Sequence, residues 1–226
     1  MQSNVQVWTE TKRLFADYVP AVAATKIRHV SGGDHPESAS RGFDVAVVKM
    51  DTLQAASHLE NPLILIFADA HSPGGCVEAG AGMQEESLFR RSALHKFLVN
   101  DLYPIEEDAC VYAQDVPVLH AGEKLTHSFI ACPGIKMPWL DGNNRFREDD
   151  ARLFRKKVEL ICQVAIAKGH KNIVLGALGC GVWGCPPKQV AEIFKETLLQ
   201  YDGSCFENVT FAILGGNFNE FNDVLK

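Results

Sequence analysis

Basic charge, long apolar runs and paired cysteines are what this sequence has least of, and each shortage closes off a class of function. Lys and Arg number 22 against 28 Asp and Glu, a formal net charge of −6. That balance argues against a protein whose affinity comes from a broad basic surface on nucleic acid, and sequence-specific nucleic-acid binding is not expected. A phosphate ligand stays open, because helix N-termini and backbone amides bind anions without net positive charge. No apolar stretch approaches the roughly 20 residues of a membrane span. Residues 1–10 have neither a basic n-region nor an apolar h-region, so no secretory signal is read there. The expected setting is the cytoplasm, or the nucleus of a cell that has one, with no membrane partner. The seven cysteines, at 76, 110, 132, 162, 180, 185 and 205, include no C-x-x-C pair. An odd, scattered set is a poor disulfide framework and a poor zinc site. Cys110 and Cys132 lie in apolar runs and read as buried reduced thiols. Internal repeats, low-complexity tracts and interdomain linkers are also missing.

What is present fits one sizeable α/β domain. The chain has 226 residues, 46% hydrophobic and 22% charged, enough for one such domain and awkward for two. Residues 5–18 place apolar side chains at helical spacing, with Pro20 at the end. Ile27 to Val30 is a short strand candidate, and 31–40 a loop by composition. Val45–Val48 reads as a strand. Residues 51–59 read as a short helix capped by Asp51, and Leu63-Ile-Leu-Ile-Phe67 as a buried strand. That order, with brief turns, is the βαβ pattern of a sheet with helices on its faces. A helix is expected from about 86 to 98, and short strands at Cys110–Ala113 and Phe129–Cys132. The long loop 133–147 has the length of a functional loop. Trp139 within it has two readings, the wall of a base pocket or a cover on the core, and neither is preferred. An amphipathic helix over 148–168 ends at Gly169. Then come a strand over 172–178, a helix from Pro187 to about Tyr201 with proline at its start, a last strand over 208–214 and a short terminal helix.

The organising stretch is His71-Ser-Pro-Gly-Gly-Cys-Val-Glu-Ala-Gly-Ala-Gly-Met-Gln-Glu-Glu86. Its glycines let backbone N–H groups approach a ligand closely, and it delivers two adjacent carboxylates, Glu85 and Glu86, to a helix start. Acids complement the macrodipole at any helix start, so composition alone leaves a structural reading open. A flexible cradle ending in paired acids suggests a sugar–phosphate ligand and acid/base chemistry. A second glycine loop, Gly179-Cys-Gly-Val-Trp-Gly184, matches G-x-G-x-x-G between a strand and a helix. As a dinucleotide fingerprint it lacks the acid that should end the next strand, and an NAD-dependent oxidoreductase is disfavoured on that ground. As an anion pocket, with the amides of 179–183 facing the ligand, it stands.

Pro73-Gly74-Gly75-Cys76, seven residues, then Gln84-Glu85-Glu86 closely resembles the signature of poly(ADP-ribose) glycohydrolases: three glycines, six to eight residues, then Gln-Glu-Glu. The flanks, Phe67-Ala-Asp-Ala-His71 and Glu86-Ser-Leu-Phe-Arg-Arg-Ser92, and the segment Gly176–Trp183 look like the bacterial-type branch, which is built on a macrodomain. Cys76 stands where the third glycine would be, and Asp69 where the family more often has Ser or Asn. The resemblance spans about Val45 to Leu214. It implies a three-layer α/β/α macrodomain with a mixed central sheet. Residues 1–226 would form one macrodomain-like catalytic domain, the first ~40 residues accessory to it. It further implies hydrolysis of ADP-ribosyl linkages, poly(ADP-ribose) first, with Glu86 as catalytic acid and base and Glu85 on the ribose hydroxyls. ADP-ribose would be bound by Asp69, Gly74, Gly75, Cys76, Val77, Gln84, Gly179, Cys180, Gly181, Val182 and Trp183. Loop 74–77 would wrap the distal ribose and diphosphate, and Trp183 would pack on the nucleotide. No cofactor and no metal are implied. A non-catalytic ADP-ribose reader and a mono-ADP-ribosyl hydrolase are the alternatives.

Overall fold

The structure, a computed structural model, describes residues 2–30 and 42–226. The expected loop over 31–40 lies outside the described residues. Seven strands form one mixed sheet in the order β1-β4-β5-β3-β6-β7-β2. They are β1 (Thr25–Arg28), β2 (Asp44–Val48), β3 (Leu63–Phe67), β4 (Ala109–His120), β5 (Glu123–Cys132), β6 (Asn172–Leu175) and β7 (Asn208–Ala212). The β1–β4 and β4–β5 pairs are antiparallel, and the ladders from β5 through β3, β6 and β7 to β2 are parallel. Strand side chains alternate between two cores. Leu63 and Leu65 of β3 face one, with Phe154, Phe194 and Phe221, while Ile64 and Ile66 face the other, with Trp8, Leu88 and Phe97. A strand apolar on both faces must be covered on both, which makes the three layers. Helices α1 (Asn4–Leu14), α2 (Thr52–Ala56), α3 (Gln84–Arg90) and α4 (Leu94–Phe97) lie on one face. Helices α5 (Glu148–Ala167), α6 (Pro187–Leu198) and α7 (Phe218–Leu225) lie on the other.

Two expectations change. The helix expected over 86–98 is split into α3 and α4, because residues 91–93 turn aside to pair with the β4 edge. Ser92 bridges Val118, Leu119 N–H donates to the Arg91 carbonyl at 2.7 Å, and Ala93 N–H donates to that of Pro117 at 2.9 Å. β4 and β5 also run well past the short apolar segments expected, into a hairpin closed at Ala121 and Gly122, with Val116 and Val118 of β4 still in the core. Both residues have positive φ, 51° and 85°, as a two-residue turn matching strand twist requires.

The sheet itself makes room for a site. β3 and β6 are paired over only Leu63↔Ile173 and Ile64↔Val174. Beyond that the two chains part. Both glycine loops leave from these neighbouring carboxyl ends, the usual place for ligand crevices in open α/β sheets.

Candidate active site

Between the loops is a cavity of about 750 Å³, within the range of small-molecule sites. Glu85 and Glu86 open α3, where acids are favoured, yet both are buried, at 4% and 6% exposure. The loop before them explains how. Asp69 N–H donates to Glu85 Oε2 at 2.7 Å and Gly74 N–H to Glu85 Oε1 at 3.0 Å. Cys76 N–H donates to Glu86 Oε1 at 3.1 Å. Glu86 Oε2 is buried and has no hydrogen-bond partner among the described residues. Gly75 has φ +55°, and a Cβ there would lie 2.8 Å from Glu86 Oε1, so glycine is required for the carboxylate to pack against the loop. Burial, more than any other influence, pushes the Glu85 carboxyl up to about 8 against the pull of its two amide donors, and the charges of Glu86 and Asp69 push the same way. The pair therefore retains a proton near neutrality.

Gln84 ties this arrangement to β3. Its Oε1 accepts from Phe67 N–H at 3.0 Å and its Nε2 donates to the Leu65 carbonyl at 2.8 Å. Arg90, one turn beyond Glu86, is buried. Its Nη1 donates to the Ala81 carbonyl at 2.6 Å, and the Glu86 charge offsets part of what burial costs the guanidinium. Behind the loop, α1 acts as a clamp. Asn4 donates to the Gly80 carbonyl at 2.9 Å, Thr11 Oγ1 donates to that of Arg90 at 2.5 Å, and Lys12 pairs with Glu78 at 2.9 Å.

The second loop is built differently. Cys180 N–H is taken by Ala177, but among the described residues the N–H groups of Gly181, Val182 and Trp183 have no acceptor in the chain. Gly179 has φ +73°, and a Cβ there would strike Cys185 Sγ at 2.6 Å. Asn217 Nδ2 holds the Cys180 carbonyl at 3.3 Å, and the Trp183 carbonyl accepts from Met137 N–H at 2.9 Å. Met83, from the first loop, reaches across: its Cε lies 3.6 Å from where a Gly181 Cβ would be.

Of the residues singled out in the sequence, Asp69, Gly75, Cys76, Gln84, Glu85, Glu86, Gly179, Gly181, Val182 and Trp183 line the cavity. Gly74, Val77 and Cys180 stand behind its wall. A Cβ on Gly74 would run into the Phe89 ring at 2.6 Å, Val77 belongs to the core under α1, and the Cys180 thiol turns inward to the Leu178 carbonyl. The amides of Gly74, Gly75, Cys76 and Val77 are all occupied within the chain, so any wrapping of a ligand by loop 74–77 is by shape and not by free N–H donors. One Asp69 oxygen, Oδ1, is likewise taken, by His71 and Ser72 amides.

Residues 4–121 match the microbial-type PARG catalytic domain. The chain belongs to this family of poly(ADP-ribose) glycohydrolases. No curated protein matches it. Among solved structures it is similar to the poly(ADP-ribose) glycohydrolase of Thermomonospora curvata, at 24% identity over 98% of each chain with a TM-score of 0.79. It is similar also to that enzyme bound to the inhibitor ADP-HPD, at 25% identity over 97% of this chain and 98% of the other, TM-score 0.76. The Deinococcus radiodurans enzyme in complex with ADP-ribose matches at 25% identity over 90% of this chain and 94% of the other, TM-score 0.75. The fold is thus the macrodomain-like one of this family, and the chain is a glycosidase of the poly(ADP-ribose) glycohydrolase type.

For a glycohydrolase of this kind the cavity holds several residues that the motifs did not single out. Asp51 and Arg91 form a two-pronged ion pair on the wall, at 2.9 and 2.8 Å. Burial raises the Asp51 carboxyl, but Arg91 and the α2 amides it caps outweigh that and hold it below the usual range. Asp51 was visible as a helix cap; its partner was visible only as one of two arginines after the Glu pair. Lys136 and Met137 enter from loop 133–147, whose length was the sole signal. Among the described residues no helix is long and apolar enough to cross a membrane, and no group of three or more His, Cys, Asp or Glu side chains could hold a metal ion.

Proposed function

We propose that this glycohydrolase cleaves the ribose–ribose bond of poly(ADP-ribose) with Glu86 as its proton-transfer residue. The observation that carries the assignment is the unpartnered Glu86 Oε2. Of the four carboxylate oxygens in the pair, it alone can take or give a proton without competing with a backbone amide. In the forward step this oxygen protonates the departing ribose oxygen as an oxocarbenium-like centre forms at C1″. Glu86, now a carboxylate, then takes a proton from the attacking water, so one group is acid and then base. Glu85 holds the sugar hydroxyls through its remaining lone pairs, and its high proton affinity keeps a proton in the pair near neutral pH. Gly181, Val182 and Trp183 offer free amides to the diphosphate, and the Trp183 ring lies on the cavity for the nucleotide. Asp69 faces the same space and contacts the distal ribose.

The alternative is a hydrolase that removes single ADP-ribose units. Incubation with poly(ADP-ribose) and with mono-ADP-ribosylated protein, followed by quantification of free ADP-ribose, separates the readings. Release from the polymer supports the proposal, and release from the mono-modified protein alone would make the chain a mono-ADP-ribosyl hydrolase. Release from neither would refute the proposed cleavage of the polymer.

A further inference from the structure

One large aromatic remains without a use. Trp139 is 73% exposed. It neither covers the core nor lines the cavity, so both sequence-based readings of it fall away. It is nevertheless held firmly. Its N–H donates to Asp150 Oδ2 at 2.9 Å, its carbonyl accepts from Arg147 N–H at 3.1 Å, and Leu140 bridges Phe146 just beyond it. The Arg147 guanidinium sits 5.5 Å from the centre of its ring. Two and three residues earlier, Met137 and Lys136 are on the cavity wall, and Met137 is tied to Trp183. Lys136 has no carboxylate within 4.0 Å among the described residues.

A cavity of about 750 Å³ is the size of a site for one small ligand. The neighbouring units of a polymer must therefore run over the surface outside it. Each unit carries an adenine and a diphosphate. We infer that Lys136, Trp139 and Arg147 form a second subsite, at the cavity mouth, for the adjoining ADP-ribosyl unit of the polymer. This rests on the polymer being the substrate. The adenine stacks on the exposed Trp139 ring, as bases do on aromatic platforms, with Arg147 supporting the ring from the side it already covers. The diphosphate lies toward Lys136. Acids fix that direction: Asp150 accepts from the Trp139 N–H, Asp141 lies in the same loop near Arg145 and Arg147, and Glu148 and Asp149 follow at the start of α5, paired with Arg152. A phosphate placed there would be repelled, and an uncharged base would not.

The test uses the full chain carrying Glu86→Gln, so that polymer is bound and not consumed. Affinities for ADP-ribose and for size-fractionated poly(ADP-ribose) are compared with and without Trp139→Ala. Loss of one stacked base weakens polymer binding by about five- to 150-fold, leaves ADP-ribose binding unchanged, and is largely restored in Trp139→Phe. Equal polymer affinity with and without Trp139→Ala overturns the subsite. A parallel loss of polymer and ADP-ribose affinity also overturns it, because Trp139 would then belong to the first site. Failure of the wild type to hydrolyse polymer would instead refute the proposed activity, and the binding comparison would still decide the subsite.

Discussion

Loop 74–77 and loop 179–183 leave adjacent parallel strands, are both rich in glycine, and face each other across one cavity, with Met83 before α3 reaching toward Gly181. Their backbones are used in opposite senses. In the first loop the amides point inward and are occupied, two of them by the Glu85 and Glu86 carboxylates. In the second, three successive amides have no partner among the described residues. The first is a mould that fixes two buried acids, and the second is an open seat for an anion. A mould of this kind tolerates nothing extra. A Cβ on Gly74 or Gly75 meets a ring or a carboxylate below 3.0 Å, whereas one on Gly181 meets only the flexible end of Met83 at 3.6 Å. Damage to the first loop should therefore appear in turnover, and damage to the second in affinity.

The sharpest break comes from Glu86→Gln. The amide keeps the shape but cannot exchange a proton at neutral pH, so turnover of poly(ADP-ribose) should fall by about 10²–10⁴-fold. ADP-ribose affinity, measured by calorimetry, should barely move. A Glu86→Gln enzyme with near wild-type turnover would remove this residue from the mechanism. Gly75→Ala comes next. The methyl must displace Glu86 Oε1, and the position has φ +55°; a misplacement of an ångström or so costs about 10²-fold in rate. Product formation should drop on that scale while ADP-ribose still binds. An active Gly75→Ala enzyme would mean that the first loop is not a mould.

Gly181→Val tests the other side. It disturbs the free amides and enters the cavity, so ADP-ribose affinity should weaken by roughly tenfold, about 1.4 kcal/mol, with the melting temperature almost unchanged. Wild-type affinity in a folded Gly181→Val protein would move the diphosphate elsewhere. The smallest effect is on pH dependence. Glu85 keeps its proton in the folded protein up to about 8, whereas the unfolded chain loses it near 4.5, the ordinary value. Between those limits the folded state binds more protons, so this group lowers stability progressively as pH rises and adds nothing further above about 8. Glu85→Gln cannot titrate. Relative to wild type its melting temperature should therefore improve from pH 5 to pH 8, whatever its starting offset from the lost amide acceptor. A constant gap across that range would show that Glu85 is already ionised in the folded protein. Wild-type turnover should decline above about pH 8, as the pair gives up its proton.

Much of this was legible in the sequence, and the limits have physical causes. Strand β3 was readable to the residue because a five-residue apolar run, stopped by Asn61-Pro62 before it and followed by a glycine loop, is too short for a buried helix, and four of its five residues are buried. The Asp51 cap was readable because capping is local: its carboxylate accepts from Leu53 and Gln54 amides. The break between α3 and α4 was not, since it depends on Ser92 meeting Val118, a partner distant in the chain. The outer half of β5 is polar, and that of β4 is cut off from its apolar start by Gln114 and Asp115 and carries Pro117, which argues against a strand. At the site, the two acids and both glycine loops stood out. Which amides are free did not, because glycine content is the same whether a loop faces a ligand or its own carboxylates. Arg90 and Lys136 were hidden for a similar reason: a cation declares its role only by what surrounds it.

Helix α1 carries a consequence for motion. Asn4, Thr11 and Lys12 grip the 78–80 turn and α3 from the rear, so the Gly74 and Cys76 amides and their carboxylates cannot part widely unless α1 lifts as well. The free energy of that lifting sets how often the acids wander from register. A chain deprived of this helix would keep every residue of the site and lose time in the arrangement that reacts: the same cavity, visited by many geometries instead of one.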